Sequence, residues 1–391
     1  MHVPDGYVSP QTCVVAFAAA VPFCVVATRK VADVVKTKDV PLLAMFSALS
    51  FLIMMFNIPL PGGTSAHAVG AVVVAIVLGA WPAVVAVSVA LALQALVFGD
   101  GGVLAFGVNV LALAVVMPFV GSWAYRLAAR GSALASRRRL VAAGFGGYAG
   151  INAAALVVAV VLGVQPLLHS VDGVPMYSPY PMAVTLAAMA LPHLTVAGLA
   201  EAVLTAAVLA YVVRTVPGRL TATHPDPSAV PRRPRVSPAT VAAGFVAVLV
   251  AACPLGLLAP GGTFAEEAPD DLDLAGLGLH TVPVGMDRFA GFWSHTLLHD
   301  YGFGEGHNAA VGYWVSALLG VAVLGVLVYV LARVVQAVVS LRAASPVHGP
   351  LAVSDCPADL PASGPAHHPA SGPAHLERAV PSRAGPADAG G

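Results

Sequence analysis

The run HAVGAVVVAIVLGAWPAVVAVSVALALQALVF, residues 67–98, is apolar almost without interruption. It is too long for one crossing of a hydrocarbon layer that takes roughly 20 residues of helix. Gly79-Ala80-Trp81-Pro82 divides it, and proline breaks the backbone hydrogen-bond ladder. The run therefore reads as two spans, 67–80 and 82–98. Whether it counts as one or two sets the sidedness of everything after it.

Outward from this stretch the same reasoning gives spans at 11–28, 41–57, 103–128, 139–164, 183–213, 239–259 and 312–337, nine in all. The composition agrees. Of 391 residues, 58% are hydrophobic and 10% are charged, against about 25% charged in an ordinary soluble domain. The chain reads as an all-α polytopic membrane protein in the lipid bilayer. Lys+Arg and Asp+Glu are both 19, too few cations to neutralise a row of phosphates, so nucleic acid is excluded as a partner. Cys13, Cys24, Cys253 and Cys356 form no CxxC pair and no disulfide framework.

The positive residues orient the spans. With the N-terminus extracytoplasmic, the inner segments hold Arg29, Lys30, Lys36 and Lys38, then Arg126, Arg130 and Arg137 to Arg139. They next hold Arg214, Arg219, Arg232, Arg233 and Arg235, and finally Arg333, Arg342, Arg378 and Arg383. Only Arg288 falls outside. The first apolar run has no basic segment before it, so it does not read as a cleaved signal peptide.

Residues 1–216 read as one bundle of seven spans, and 217–238, with six prolines and four arginines from Pro217 to Pro238, as a cytoplasmic linker. Residues 239–337 form a two-span accessory domain around an acidic extracytoplasmic loop, 260–311. The tail, 338–391, carries a near-repeat at 361–367 and 369–375 and reads as disordered and cytoplasmic.

Several chemistries are absent. A P-loop needs a Gly-Lys pair, and Lys30, Lys36 and Lys38 follow Arg, Val and Thr; there is no HExxH and no GxSxG. Glu201, with His193 eight residues earlier, is the one clear acid inside a span. It reads as a carboxylate paired with a neighbouring helix or loop, and a single acid is thin support for a proton relay. If the chain transports anything, the energy comes from a partner.

The strongest local feature is Met1-His2. A free amine followed by histidine chelates through the amine, the deprotonated His2 amide and imidazole Nδ1, closing five- and six-membered rings. Three nitrogens in a plane suit Ni(II) or Cu(II), and His67 is the candidate fourth.

Met1-His2-Val3-Pro4-Asp5-Gly6-Tyr7-Val8-Ser9-Pro10 resembles the opening of the CbiM/NikM family, the cobalt/nickel substrate-binding (S) components of energy-coupling-factor (ECF) transporters. The resemblance continues in Asn57-Ile58-Pro59-Leu60-Pro61-Gly62-Gly63-Thr64-Ser65-Ala66-His67 and in Gln94-Ala95-Leu96-Val97-Phe98-Gly99-Asp100-Gly101-Gly102. Pro192-His193-Leu194 through Gly198 and Glu201 is similar to the family's last core helix. It implies a seven-helix bundle, with metal held by the Met1 amine, the backbone nitrogen and imidazole of His2, and His67. It implies as partners a transmembrane coupling protein and two cytoplasmic ATPase subunits, which would answer the missing P-loop.

Residues 239–337 are similar, less closely, to the small two-span NikN/PDGLE-like subunit that some of these systems fuse to the S component. Pro269-Asp270-Asp271-Leu272-Asp273 departs from its Pro-Asp-Gly-Leu-Glu signature at the third and fifth positions, whereas Asp300-Tyr301-Gly302 fits better.

Around the donors, Thr64 and Ser65 either orient His67, as metal ligands require, or cap a helix, and Asp100 shares their face as a turn residue. Gln94 and Asn109 read as interhelical glue. His295 and His299, four apart, would share a helical face followed by Asp300, Glu305 and His307; an exposed polar loop is the plainer reading over metal capture. His367, His368 and His375 lie in the tail.

The expectation is the substrate-capturing subunit of an ATP-driven importer of nickel, or cobalt, in a bacterial cell membrane. The metal would be cargo and not a cofactor, and the chain no enzyme. Nickel comes first because Pro4-Asp5 looks more like the nickel branch and a four-nitrogen square suits Ni(II). A membrane metalloenzyme needs an acid or base beside an open metal position, for which Asp5 and Asp100 are the obvious candidates. A metal sensor or storage protein would not depend on ATPases.

Overall fold

A computed structural model describes residues 2–35, 40–60, 65–215, 220, 238–258, 263–304 and 306–344. The linker from 221 to 237, the tail beyond 344 with its histidines, and Met1 and Thr64 lie outside the described residues.

The chain is helical almost throughout. Helix α1 (Pro10–Val35) starts where sequence demands: Pro10 occupies the first turn, where no N–H is needed. The Ser9 hydroxyl accepts from Thr12 N at 3.2 Å as N-cap. Then come α2 (Val40–Met54), α3 (Ala71–Leu78), α4 (Ala80–Leu93) with a π-helical turn to Phe98, and α5 (Phe106–Ala129). The 32-residue α6 (Arg137–Leu168) is followed by α7 (Met182–Leu194) and α8 (Val196–Thr215). The remainder holds α9 (Pro238–Ala252), a short α10 (Val284–Ala290) and the 36-residue α11 (Ala309–Ala344).

Among the described residues, six helical segments are long and apolar enough to cross a membrane: 10–31, 80–98, 106–129, 137–168, 182–215 and 309–337. Val40–Met54 and Ala243–Leu258 are shorter apolar helices. The protein is a multi-pass, all-α membrane protein. Helix α6 packs on α5, α7 and α8, while α11 lies against α1 and α2. Lipid is as apolar as leucine, so close backbone approach drives helix association in place of water exclusion. At the α5–α6 contact a Cβ on Gly146 would lie 2.7 Å from the Gly121 carbonyl oxygen, so only glycine fits.

Four sequence expectations are corrected here. The span predicted at 67–80 holds a helix of only 8 residues, about 12 Å at 1.5 Å per residue, less than half a hydrocarbon core of about 30 Å. The break before α4 belongs to Gly79, at φ +105 and ψ 157, a conformation only glycine adopts cheaply. Pro82 sits in the first turn of α4, where its missing N–H costs nothing. The span 183–213 stands as one crossing segment, 182–215, but not as one continuous helix: it breaks at Thr195, with φ −109 and ψ −96, three residues after Pro192. Finally α11 runs on to Ala344, past the predicted start of the tail at 338.

Short α3 leaves non-helical chain to be satisfied inside the protein, since no water or lipid will do it. Glu201 on α8, fully buried, accepts from Val69 N at 2.8 Å and Gly70 N at 3.0 Å, at the entrance to α3. Ser50 donates to the Val69 carbonyl at 2.7 Å. Ile58–Pro59 and Ser65–Ala66 pair as a two-residue antiparallel ladder. Glu201 thus has a loop partner, the plainer of its two readings.

Candidate metal centre

Residues 2–9 run into one end of the bundle as a largely buried strap that turns at Asp5-Gly6, where Gly6 has φ +94. Val3 is held like a strand residue: its N–H donates to Asn109 Oδ1 at 2.8 Å, and its carbonyl accepts from Asn109 Nδ2 and Gly102 N. The Asp5 carboxylate accepts from Val103 N and Ala105 N, both at 3.0 Å, where the chain enters α5. Burial pushes the Asp5 carboxyl above its usual range, and these amides partly offset that. Ser9 N donates to Gln165 Oε1 at 3.0 Å, and Ser178 N to the Tyr7 carbonyl at 2.9 Å.

His2 and His67, 65 positions apart, meet at this end. Their rings stack with centroids 4.9 Å apart and an interplanar angle of 23°; they are 3% and 2% exposed. His67 Nδ1 lies 3.0 Å from the Ala68 carbonyl oxygen. His2 Nδ1 lies 2.7 Å from Asp100 Oδ1, and His2 Nε2 is buried without a hydrogen-bond partner.

Asp100 is itself pinned. Gln94 Nε2 donates to its Oδ2 at 2.9 Å, and so does the Tyr301 hydroxyl. Burial raises a carboxyl, but His2 and Tyr301 outweigh it and hold Asp100 well below the usual carboxylate range. Tyr301 moves the other way: burial, then the charge of Asp100, raise it far above an ordinary phenol, so its hydroxyl stays a donor.

Gln94 and Asn109 therefore do not act as interhelical glue. Each satisfies a segment at the site, Gln94 on Asp100 and Asn109 on the residue after His2. Asp100, read as a turn residue, touches His2 directly. The Ser65 hydroxyl pairs with Thr263 Oγ1 at 3.2 Å. His193 Nδ1 meets its own helix at Met189 O, at 2.6 Å, and its Nε2 is buried without a hydrogen-bond partner. His295 and His299 share no helical face, because 294–298 is irregular, and both are exposed, as is His307. Among the described residues no group of three or more His, Cys, Asp and Glu side chains is placed to hold a metal ion.

The region after 262 closes over this end. Trp293 Nε1 donates to the Leu96 carbonyl at 2.9 Å, and Leu297 N to that of Val97 at 2.9 Å. Tyr7 donates to the Glu267 carbonyl at 3.0 Å, and Gly285 N to that of Met176 at 2.8 Å. Sequence reading missed the contacts of Tyr301 and Asp5. An amide within an apolar stretch was the available signal for Gln94 and Asn109; the Asp300-Tyr301-Gly302 turn marked Tyr301 by resemblance, but nothing local marks its contact with Asp100.

Fold and site together define a polytopic membrane protein with two buried histidines facing each other at one end of its bundle. Residues 2–219 match the CbiM family, described as the cobalt uptake substrate-specific transmembrane region, and the chain belongs to that family. The likeness continues past it. The fused nickel transport protein NikMN of Rhodobacter capsulatus is 47% identical over 337 residues, covering 83% of this chain and 95% of that one. The probable fused nickel transport protein LarMN of Lactiplantibacillus plantarum is 41% identical over 334 residues, covering 84% and 96%. A solved structure described as a truncated transition metal transporter superposes with a TM-score of 0.51 at 50% identity, covering 55% of this chain and 98% of that one.

Proposed function

We propose that this protein is the substrate-capture subunit of an ATP-driven ECF-type importer of Ni(II). The metal is held by the Met1 amine, the amide nitrogen and Nδ1 of His2, and His67. The observation that carries this reading is the buried pair of stacked imidazoles, one of them on the second residue of the chain. His-at-2 adds main-chain nitrogen to these two imidazoles as donors. Four nitrogens suit Ni(II).

Residues 1–216 form the capture unit, and 239–337 an accessory unit whose loop faces outward on the side of the N-terminus. A coupling protein and two ATPase subunits at the cytoplasmic face of the bacterial cell membrane supply the energy. Relatives named as cobalt transport proteins support a second reading, cobalt import. The relative from Acetohalobium arabaticum is 33% identical over 32% of this chain, against 47% over 83% for the nickel relative, and that favours nickel.

The test is titration of the purified full chain with Ni(II) and Co(II), before and after one residue is inserted ahead of His2. Tight binding that survives the insertion overturns the chelate. Uptake by cells lacking the ATPase subunits overturns the coupled mechanism. Binding should weaken as pH falls, because the amine, amide and imidazole must shed protons to ligate.

A further inference from the structure

Nδ1 of His2, the atom the chelate requires, is occupied in this structure. It sits 2.7 Å from Asp100 Oδ1, and one nitrogen lone pair cannot hold a proton and a metal together. The other carboxylate oxygen receives Gln94 Nε2 and the Tyr301 hydroxyl, and Gln94 Nε2 also reaches the Tyr301 oxygen at 2.8 Å. Gln94 opens the π-helical turn that ends α4, a feature that often marks functional sites. Tyr301 comes from 201 residues beyond Asp100.

Its backbone is held with unusual determination. Asp300 and Tyr301 have φ of +48 and +62, a region in which a bulky side chain is a genuine outlier, and such strain persists only where the surroundings over-determine it. Those surroundings are visible. The Tyr301 ring stacks on Phe98 with centroids 4.9 Å apart, and Phe98 stacks on Phe51 at 5.4 Å. Ser316 on α11 donates to the Tyr301 carbonyl at 3.0 Å. The strain delivers one hydroxyl to one carboxylate oxygen.

We propose that Asp100 parks the His2 imidazole while the site is empty, and that Tyr301 is a positioning residue of the metal-capture site that acts through Asp100 to limit how tightly the imidazole is held. Loading is then an exchange. The Nδ1–H bond breaks and its proton passes to water, a proton is taken up on Nε2 so that the ring stays a neutral imidazole, and the lone pair freed on Nδ1 forms the bond to the metal. Asp100 loses His2 and keeps Gln94 and Tyr301. A second donor on Asp100 draws its charge away from Oδ1 and weakens its hold on His2, so the region after residue 262 sets how readily the imidazole is released. This rests on His2 ligating through Nδ1.

The experiment is stopped-flow mixing of Ni(II) with the purified full chain, carrying Tyr301→Phe or Asp100→Asn, with His2→Ala as control. Tyr301→Phe leaves Asp100 only His2 and Gln94, so the imidazole is held harder and association slows. Asp100→Asn replaces a charge-assisted bond by a neutral one, which is about half as strong, and association quickens. Each change should be roughly 3- to 10-fold, the range set by the net worth of one hydrogen bond. A purely structural role would move both variants the same way. Both slowing, or Tyr301→Phe matching the wild type, overturns the proposal. Binding that survives His2→Ala overturns the capture site itself. A measurement that needs no variant is nitrogen NMR of the histidine-labelled, metal-free wild type. A proton on His2 Nδ1 is expected, and a bare Nδ1 overturns the proposal.

Discussion

Two carboxylates, Glu201 fully buried and Asp100 partly so, sit near the same pair of histidines, and they are wired differently. Glu201 accepts from the main-chain N–H groups of Val69 and Gly70, with a longer contact from Thr205 in its own helix at 3.5 Å. Asp100 holds three side chains, Gln94 six residues before it and His2 and Tyr301 from distant parts of the chain. Main-chain donors cannot turn away without unfolding a loop, whereas side-chain donors change partner by rotating about their own bonds. The first arrangement makes a floor for the site, and the second makes a contact that can be traded.

The largest effect should come from the donors that both acids serve. His2→Ala is expected to abolish tight Ni(II) binding in calorimetric titration while the helical circular dichroism stays intact. The loss should exceed the roughly 10–100-fold that removing an outer partner of a metal ligand costs. Next comes the floor. Glu201→Leu leaves two buried N–H groups unpaired, at about 1–3 kcal/mol each, so the melting temperature in detergent should fall, and metal affinity with it. Glu201→Gln keeps an acceptor and should lose less; if the two variants melt alike, the floor is not held by acceptance.

Asn109→Leu tests the strap. It frees the Val3 amide beside His2 and should lower Ni(II) affinity about 10–100-fold, with a smaller effect on melting than Glu201→Leu. The reverse order would mean that Asn109 is packing glue after all. The smallest effect is expected from Ser65→Ala, which removes one hydroxyl contact to Thr263, on the order of 1 kcal/mol in melting. Ni(II) affinity should stay within about threefold; a larger fall would give Ser65 the orienting role on His67.

Part of this site is legible in sequence because its chemistry is local. The amine, amide and imidazole of residues 1 and 2 are neighbours by connectivity, so chelation follows from the order of residues. His67 entered as a further donor beside a Gly-Gly-Thr-Ser run. Gln94 and Asn109 stood out as amides in apolar runs, yet their partners did not. Asn109 bonds a residue 106 positions away, and Gln94 one 207 positions away. Tyr301 stood out only within the Asp300-Tyr301-Gly302 turn, since a tyrosine in a loop carries no mark of the acid it will meet. α3 was misjudged for a related reason: hydropathy measures whether a stretch tolerates lipid, and a buried segment passes that test without spanning anything.

The sequence by itself therefore determined the membrane character, most of the crossing helices and the identity of the nitrogen donors, because apolar runs and chelating neighbours are properties of adjacent residues. Only the tertiary structure decided that His2 faces His67, that Glu201 seals the entrance to α3, and that Asp100 stands between His2 and Tyr301. A buried polar group must find its partner inside the protein, and which one it finds depends on packing that brings together residues from 65 to 201 positions apart.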